Sequence, residues 1–389
     1  MKTPADVFTR YRSGFLARDS SFCLPKAIPA PKKDQSGKKS RTKFRPIVLA
    51  PLESRIVQRC ILETLTVHPA MQMYTVTPYS FGGIRRQKGQ DLAAVPAAVT
   101  AVLEAIKGGA KYVATADISS FFTKISKPAV RAIVSDAIKD DEFIGLFDEA
   151  IKVELENLAE LRERATAFPI EDIGVAQGNS LSPLLGNIVL NDFDRLMNEG
   201  DCRCIRYIDD FIILAPTKAA AAARLRKAIK ILGGLGMKLS PEKSSKLPQS
   251  ISEAFEFLGI EFNNGLIRPN KKSRTRFLAQ VKEKLDVSAR EFRKHGDLSE
   301  FPKHLSFIDT LRRVDGVVQG WGKHYLFCND GALFQQLAET IEDYVATYIG
   351  EYSSARSGVD KSQWFALLGV QKLSWIVRQP FVWPSVKSI

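Results

Sequence analysis

RCIRYIDDFIILA occupies residues 203–215 and sets two adjacent carboxylates, Asp209 and Asp210, inside an otherwise apolar run. The apolar residues on either side predict two short strands meeting at the aspartates, a hairpin. Turn geometry by itself favours Asp, so an Asp-Asp pair standing alone between strands reads by default as a corner. Its meaning depends on what the chain brings beside it. Upstream, KYVATA at 111–116 is a short apolar run after a Gly-Gly break and predicts a strand with Asp117 at its end. If the two elements are neighbours in one sheet, three carboxylates meet. Such a cluster repels itself, and burying it is costly unless cations neutralise it. Magnesium (Mg2+) suits that task, because it takes oxygen ligands, tolerates partial hydration and binds substrate phosphates. Two such ions about 4 Å apart activate an attacking hydroxyl and stabilise a leaving pyrophosphate.

The 389 residues give a prior of two or three domains, and a hydrophobic content of 45% is enough for a substantial core. Lysine and arginine number 56 against 43 acidic residues, a net charge of +13 that makes a polyanion the first partner to consider. The five cysteines are odd in number and have no paired C-x-x-C spacing, which suggests neither a disulfide framework nor a zinc ribbon and fits a reducing cytoplasm. The first residues have no apolar leader, and no apolar run approaches the roughly 20 residues that cross a bilayer, so no membrane is expected.

Residues 25–45, rich in Pro and Lys, read as a basic loop or extended arm leading into a strand, FRPIVLA. Helical spacing follows in ESRIVQRCILETL, then a Gly-rich turn, then an Ala-rich helix to Lys107. After Asp117 the chain to about residue 165 reads as helical, GVAQGNSLSP as loop, and LLGNIVLNDFDRLMNE as helix. A helix near 217–235, a turn at LSPEKS and a strand around FEFLGIEF complete the mixed pattern. From about 268 long basic helical patterns take over, and a domain boundary is expected there. The segments are thus 1–110, 111–267 and 268–389.

Ordered companions change the reading of YIDD. FRPIVLAPLESRIVQ, SFGGIRRQKGQD, TADISSFF, GVAQGNSLSPLLGNIVLNDFD, YIDDFIIL, LSPEKS and FEFLGI, in that order, resemble the successive blocks of reverse transcriptases, especially the bacterial lineage related to group II introns. The resemblance covers roughly residues 40–265, and GVVQGWGKHYLF at 316–327 is similar to the thumb segment of that lineage. It implies an α+β right-hand polymerase: fingers in the N-terminal part, a palm with an antiparallel sheet, and a helical thumb.

Roles follow from the resemblance. Asp117 and Asp209 would bind both catalytic magnesium ions, Asp210 would complete the cluster, and the Ile118 carbonyl would add an oxygen; manganese (Mn2+) is a possible substitute. Arg45, with Lys43 or one of Lys38 and Lys39, would clamp a nucleoside triphosphate. Phe122 would press on the sugar and exclude a 2′-hydroxyl. Gln177 and Gly178 would lie against nucleotide and template, and Lys243 would protonate or offset the departing pyrophosphate. Phe257, Leu258 and Gly259 look like the primer-grip hairpin. Arg268, Lys271, Lys272, Arg274 and Arg276 would track a duplex backbone, with Trp321, Lys323, His324 and Tyr325 interleaving aromatics and charge. Each of these cations has a bland alternative in a solvated basic face, and Phe122 in an ordinary core ring.

The partners implied are an RNA template, a DNA or RNA primer and deoxynucleoside triphosphates, with a noncoding RNA, a neighbouring-gene protein or a second copy of the chain as further possibilities. The pattern departs from intron proteins in having no His/Cys endonuclease cluster after residue 330, and from retron enzymes in lacking their Val-Thr-Gly element. A stand-alone bacterial reverse transcriptase is expected, and many of these serve in antiphage defence. The alternatives are a catalytically silent RNA-binding scaffold of the same fold and a polymerase making untemplated or repetitive DNA.

Overall fold

A computed structural model describes residues 24–33, 39–83, 94–294 and 301–377. The chain divides into two compact units, Met1–Glu253 and Ala254–Ile389.

The first unit opens with a two-stranded antiparallel ribbon, β1 (Lys26–Lys33) and β2 (Lys39–Leu49), where a basic loop or extended arm leading into the strand FRPIVLA is expected; the arm is extended and paired, and the strand begins earlier, at Lys39. Prolines are tolerated because a two-stranded ribbon has a free edge on each strand, where a missing N–H removes no ladder bond; Pro29 stands opposite Pro46. The helices α1 (Leu52–Val67) and α2 (Ala94–Lys107) follow. Next come β3 (Tyr112–Asp117), α3 (Lys127–Ile138) and α4 (Asp141–Ile151). The predicted helix to 165 stops at Ile151, where Lys152 turns extended, and beyond it only short helical turns remain.

Helix α5 (Ser182–Met197) starts with Pro183 in its first turn, where a missing N–H costs nothing. Its Leu184, Leu185, Ile188 and Phe193 are buried in the main core. Its end is tied to the next strand by Asn198, whose side chain donates to the Cys204 carbonyl and accepts from the Cys204 amide, both at 2.9 Å. β4 (Arg203–Tyr207) and β5 (Asp210–Ala215) form the expected hairpin, followed by α6 (Lys218–Gly234) and β6 (Gln249–Ser250). The sheet order is β4-β5-β3-β6, antiparallel throughout. Central β5 is apolar on both faces, and Phe211, Ile212, Ile213 and Leu214 are fully buried, each contributing about 1.5–3 kcal/mol.

In the second unit FEFLGIEF is two strands, β7 (Phe255–Phe257) and β8 (Ile260–Asn263), and β9 (Leu266–Pro269) completes a meander. Leu258 and Gly259, both with positive φ (54° and 78°), supply the two-residue turn that suits a hairpin's twist. The meander is bound to the helices after it: Asn329 exchanges two bonds with Ile267, and Asp330 pairs with Arg268. This is why the division falls before the meander, earlier than the expected boundary near 268. Helix α7 (Lys271–Phe292) is capped by Asn270 and carries Phe277, Val281, Leu285, Ala289 and Phe292 at helical spacing, packed with α8 (Phe307–His324) and α9 (Gly331–Ser357).

Candidate active site

Asp117 closes β3 directly opposite Asp210, the first residue of β5. The Ile118 amide donates to the Asp209 carbonyl at 2.9 Å. The Asp117/Asp210 pair is thereby the closely spaced kind in the antiparallel ladder, with Cα atoms about 4.5 Å apart and side chains on one face. Asp209 sits in the two-residue turn with Ile208, whose φ is 61°. The LSPEKS turn is sewn to the same strand end. Ser240 donates its amide to the Asp117 carbonyl at 2.8 Å, the Asp117 amide donates to Ser244 Oγ at 3.2 Å, and Ile118 bridges Leu239. That stitching delivers Lys243, whose Nζ lies 2.6 Å from Asp117 Oδ2.

Asp117 is 5% exposed, and Asp209 and Asp210 are half-buried. Burial, then the charges of Asp209 and Asp117 and a hydrogen bond with Asp117, push the Asp210 carboxyl up to about 7. Burial and the Asp117 charge also raise Asp209, against the pull of Lys243 and Arg45. At Lys243 burial opposes the charge most strongly, but the hydrogen bond to Asp117 and the charges of Asp117, Asp210 and Asp209 together outweigh it, and the ammonium is held above its usual range. Among the described residues no three His, Cys, Asp or Glu side chains stand gathered as a metal-ligand set. The unmet demand for positive charge is nonetheless concentrated on three hard oxygen donors of the kind a partly hydrated divalent cation takes. The residues therefore fit such an ion.

Arg45 is exposed on β2 and its charge reaches Asp209. Lys38 lies outside the described residues, as do the side chains of Lys39 and Lys43. The Val48 amide donates to the Gln177 carbonyl at 2.8 Å, and Ile47 bridges Gln177, so the loop carrying Gln177 and Gly178 is docked on the strand carrying Arg45. Gly178, at φ 120°, is required there: a Cβ would stand 2.6 Å from the Val48 carbonyl oxygen. Phe122 accepts the Val175 amide at its carbonyl, and its ring lies beside Phe121, partly buried against the main core. The structure thus brings Asp117, Asp209, Asp210 and Lys243 to one corner, within reach of the Arg45 charge at Asp209, with the Gln177 loop tied to the Arg45 strand.

Residues 30–262 match the family model described as reverse transcriptase (RNA-dependent DNA polymerase). The chain belongs to the reverse transcriptase family. Its fold is the right-hand polymerase fold, and the four-stranded antiparallel sheet is the palm. Protein YkfC of Escherichia coli K12 is 25% identical over 256 residues, 57% of this chain, and the match spans 64% of YkfC's length. Two solved structures are also similar. One is apo telomerase from Candida tropicalis truncated from its C-terminal domain, at TM-score 0.42 and 14% identity over 68% of this chain and 60% of that one. The other is telomerase from Candida albicans in complex with a TWJ fragment of telomeric RNA, at TM-score 0.41 and 13% identity over 94% of this chain and 62% of that one.

In the second unit, Phe257 is buried and Leu258-Gly259 forms the hairpin tip. Lys271, Lys272, Arg276 and Lys323 are exposed. Other residues expected on nucleic acid are held by the unit's own structure. Arg268 lies in β9, paired with Glu261 and Asp330, and Arg274 lies 3.7 Å from Glu261. Trp321 stacks on Phe277 at 4.2 Å and donates its indole N–H to Ser273 Oγ, while Tyr325 is buried with its hydroxyl 2.7 Å from the same Oγ.

Sequence reasoning passes over Arg206, Asp194 and Asn187, all buried, which bond to one another and to the YIDD turn. The available signal is an arginine inside the apolar run of β4, where an unpaired charge is not tolerated.

Proposed function

We propose that the protein is an RNA-directed DNA polymerase that adds deoxynucleotides to a primer 3′-hydroxyl by metal-dependent nucleotidyl transfer. The observation that carries the proposal is the register of Asp117 against Asp210 with Asp209 in the adjoining turn and two cations at the same corner. Asp117, Asp209, Asp210 and the Ile118 carbonyl would hold two divalent cations, magnesium in the first place. When bound, these supply Lewis-acid activation of the attacking hydroxyl and charge neutralisation of the leaving pyrophosphate. Arg45 binds triphosphate oxygens with a fork of donors, and Gln177 and Gly178, fixed to β2, set the nucleotide against its template. Phe122 excludes a 2′-hydroxyl by contact. Lys243, held protonated, is placed to give its proton or its charge to pyrophosphate. The Phe257–Leu258–Gly259 hairpin holds the primer end, and Lys271, Lys272, Arg276 and Lys323 engage the phosphate backbone.

The test is primer extension by purified protein on primed RNA with magnesium and deoxynucleotides, beside an Asp209→Ala control. Extension by the wild type alone is expected. No extension beyond the control, with RNA still bound, would replace this reading with that of a silent RNA-binding scaffold. Sequencing the product separates copying from untemplated or repetitive synthesis. A stand-alone cytoplasmic role in antiphage defence is proposed from the family resemblance of the motifs, and plaque counts on cells carrying the wild type or Asp209→Ala test it.

A further inference from the structure

We infer that Arg206 is a positioning residue that sets the conformation of the catalytic turn, and that Asp194, Asn187 and Gly82 are its supports. The inference rests on the proposed function for its meaning and on the following geometry for its substance.

Arg206 is completely buried, and each arm of its guanidinium is engaged. Nε donates to Asp194 Oδ1 at 2.7 Å and Nη2 to Asp194 Oδ2 at 2.5 Å, a bidentate fork that fixes the plane of the group. Nη2 also reaches Asn187 Oδ1 at 3.1 Å. Nη1 points elsewhere, to the carbonyl of Ile208 at 2.9 Å. Ile208 precedes Asp209 and has φ 61°, a conformation that a β-branched residue adopts only when its surroundings impose it. A buried ion pair alone is a poor source of stability, so its geometry is the more informative property.

A second element holds the turn from another direction. The segment before the Gly-rich loop runs beside Arg206. The Arg206 amide donates to the Tyr79 carbonyl at 2.8 Å, and the Phe81 amide donates to the Arg206 carbonyl at 2.9 Å. Ser80 donates to Asn187 Oδ1, and Asn187 Nδ2 donates to the Gly82 carbonyl, both at 3.2 Å. Gly82 then lies flat on Ile208: a Cβ there would stand 2.5 Å from Ile208 Cγ1 and 2.7 Å from the Ile208 nitrogen. The turn is thus gripped at its carbonyl by Arg206 and pressed at its amide side by Gly82, and Asn187 joins the two grips. A carboxylate one residue further on inherits its position from this clamp.

Two variants loosen it differently. Arg206→Lys keeps a cation for Asp194 but has no planar second arm for Ile208, and Gly82→Ala leaves the Arg206–Asp194 fork intact while displacing Ile208. Each is expected to lower kcat for nucleotide addition at saturating magnesium by about tenfold or more, with unchanged affinity for primed duplex measured in chelator. Each should also diminish the rise in thermal midpoint that magnesium gives the wild type. Wild-type kcat with a wild-type magnesium shift in both variants overturns the inference. If Arg206→Lys does not fold, Gly82→Ala decides by the same two readouts. If the wild type extends no primer, the functional reading fails, and the magnesium shift alone decides: a shift present in the wild type and lost in Gly82→Ala upholds the clamp, and any other result removes it.

Discussion

In the palm, Asp117, Asp209 and Asp210 face the Lys243 ammonium, Asp209 also feels the charge of Arg45, and burial still drives Asp210 up to about 7. In the second unit, Glu261 of the meander and Asp330 at the start of α9 are met by Arg268 through three bonds, and Arg274 of α7 stands 3.7 Å from Glu261. Asp330 also caps α9 by accepting the Leu333 amide. This cluster of the meander and the helices after it pairs acid with base. The palm leaves an excess of negative charge, which is the condition for binding a cation and also a standing cost to the empty fold. Carboxylates of similar burial thus do opposite work, and the balance of charge around them tells which.

Removing acids from the two places should break the protein in different ways. The largest effect belongs to Asp117→Asn, which is expected to lower primer extension by about three orders of magnitude, several kcal/mol of transition-state stabilisation; steady-state extension assays read it, and retained duplex binding separates it from unfolding. Next is Glu261→Gln, which leaves Arg268 and Arg274 without their shared carboxylate. It should destabilise the second unit by about 2 kcal/mol, read in urea unfolding, while residual folded protein keeps its magnesium dependence.

Asp210→Asn sharpens the contrast through its sign. A carboxyl raised in the folded state binds its proton more tightly there than in the unfolded chain, so it costs no stability below its ordinary pKa and progressively more as pH rises to about 7. The asparagine variant, in chelator, should therefore melt a few degrees above the wild type at pH 8, and the gap should close towards pH 4. An unchanged or lower midpoint at pH 8 would show that the palm acids are not under strain of charge. The smallest effect is expected of Lys271→Ala with Lys272→Ala. Both are exposed and outside the matched cluster, so duplex affinity should lose about two units of salt slope with no change in stability.

The palm is legible in the sequence because its strands alternate clearly with breaks: KYVATA after Gly-Gly and FIILA after Asp-Asp have few other conformations open to them. The meeting of Asp117 with Asp210 needs the strand order, and ordered motif blocks supply it. The segment before FRPIVLA reads as a basic loop or extended arm because Pro29 and Pro31 argue locally against a strand, and only the pairing of β1 with β2 overrides them. By its apolar pattern FEFLGIEF reads as one strand, because a leucine at positive φ leaves no trace in composition, and the hairpin there comes only from the resemblance; the positive φ of Ile208 is unreadable in the same way. Asp194 escapes since polar residues on a helix read as its solvent face, and nothing local says that Arg206 comes to meet it. Trp321 reads as a ring open to bases, yet its spacing from Tyr325 also suits a helix face packed on α7, where Phe277 covers it.

The bond from the Ile118 amide to the Asp209 carbonyl makes the peptide ladder itself the gauge of the active site. Side-chain rotamers swing by ångströms, but the separation of two paired strands is fixed by the length of N–H···O=C bonds that every residue but proline can make. The backbones of two acids from distant parts of the chain are thereby held at a standard interval, so sequence change can vary the side chains around the corner while the spacing of the Cα atoms that carry the acids stays the same.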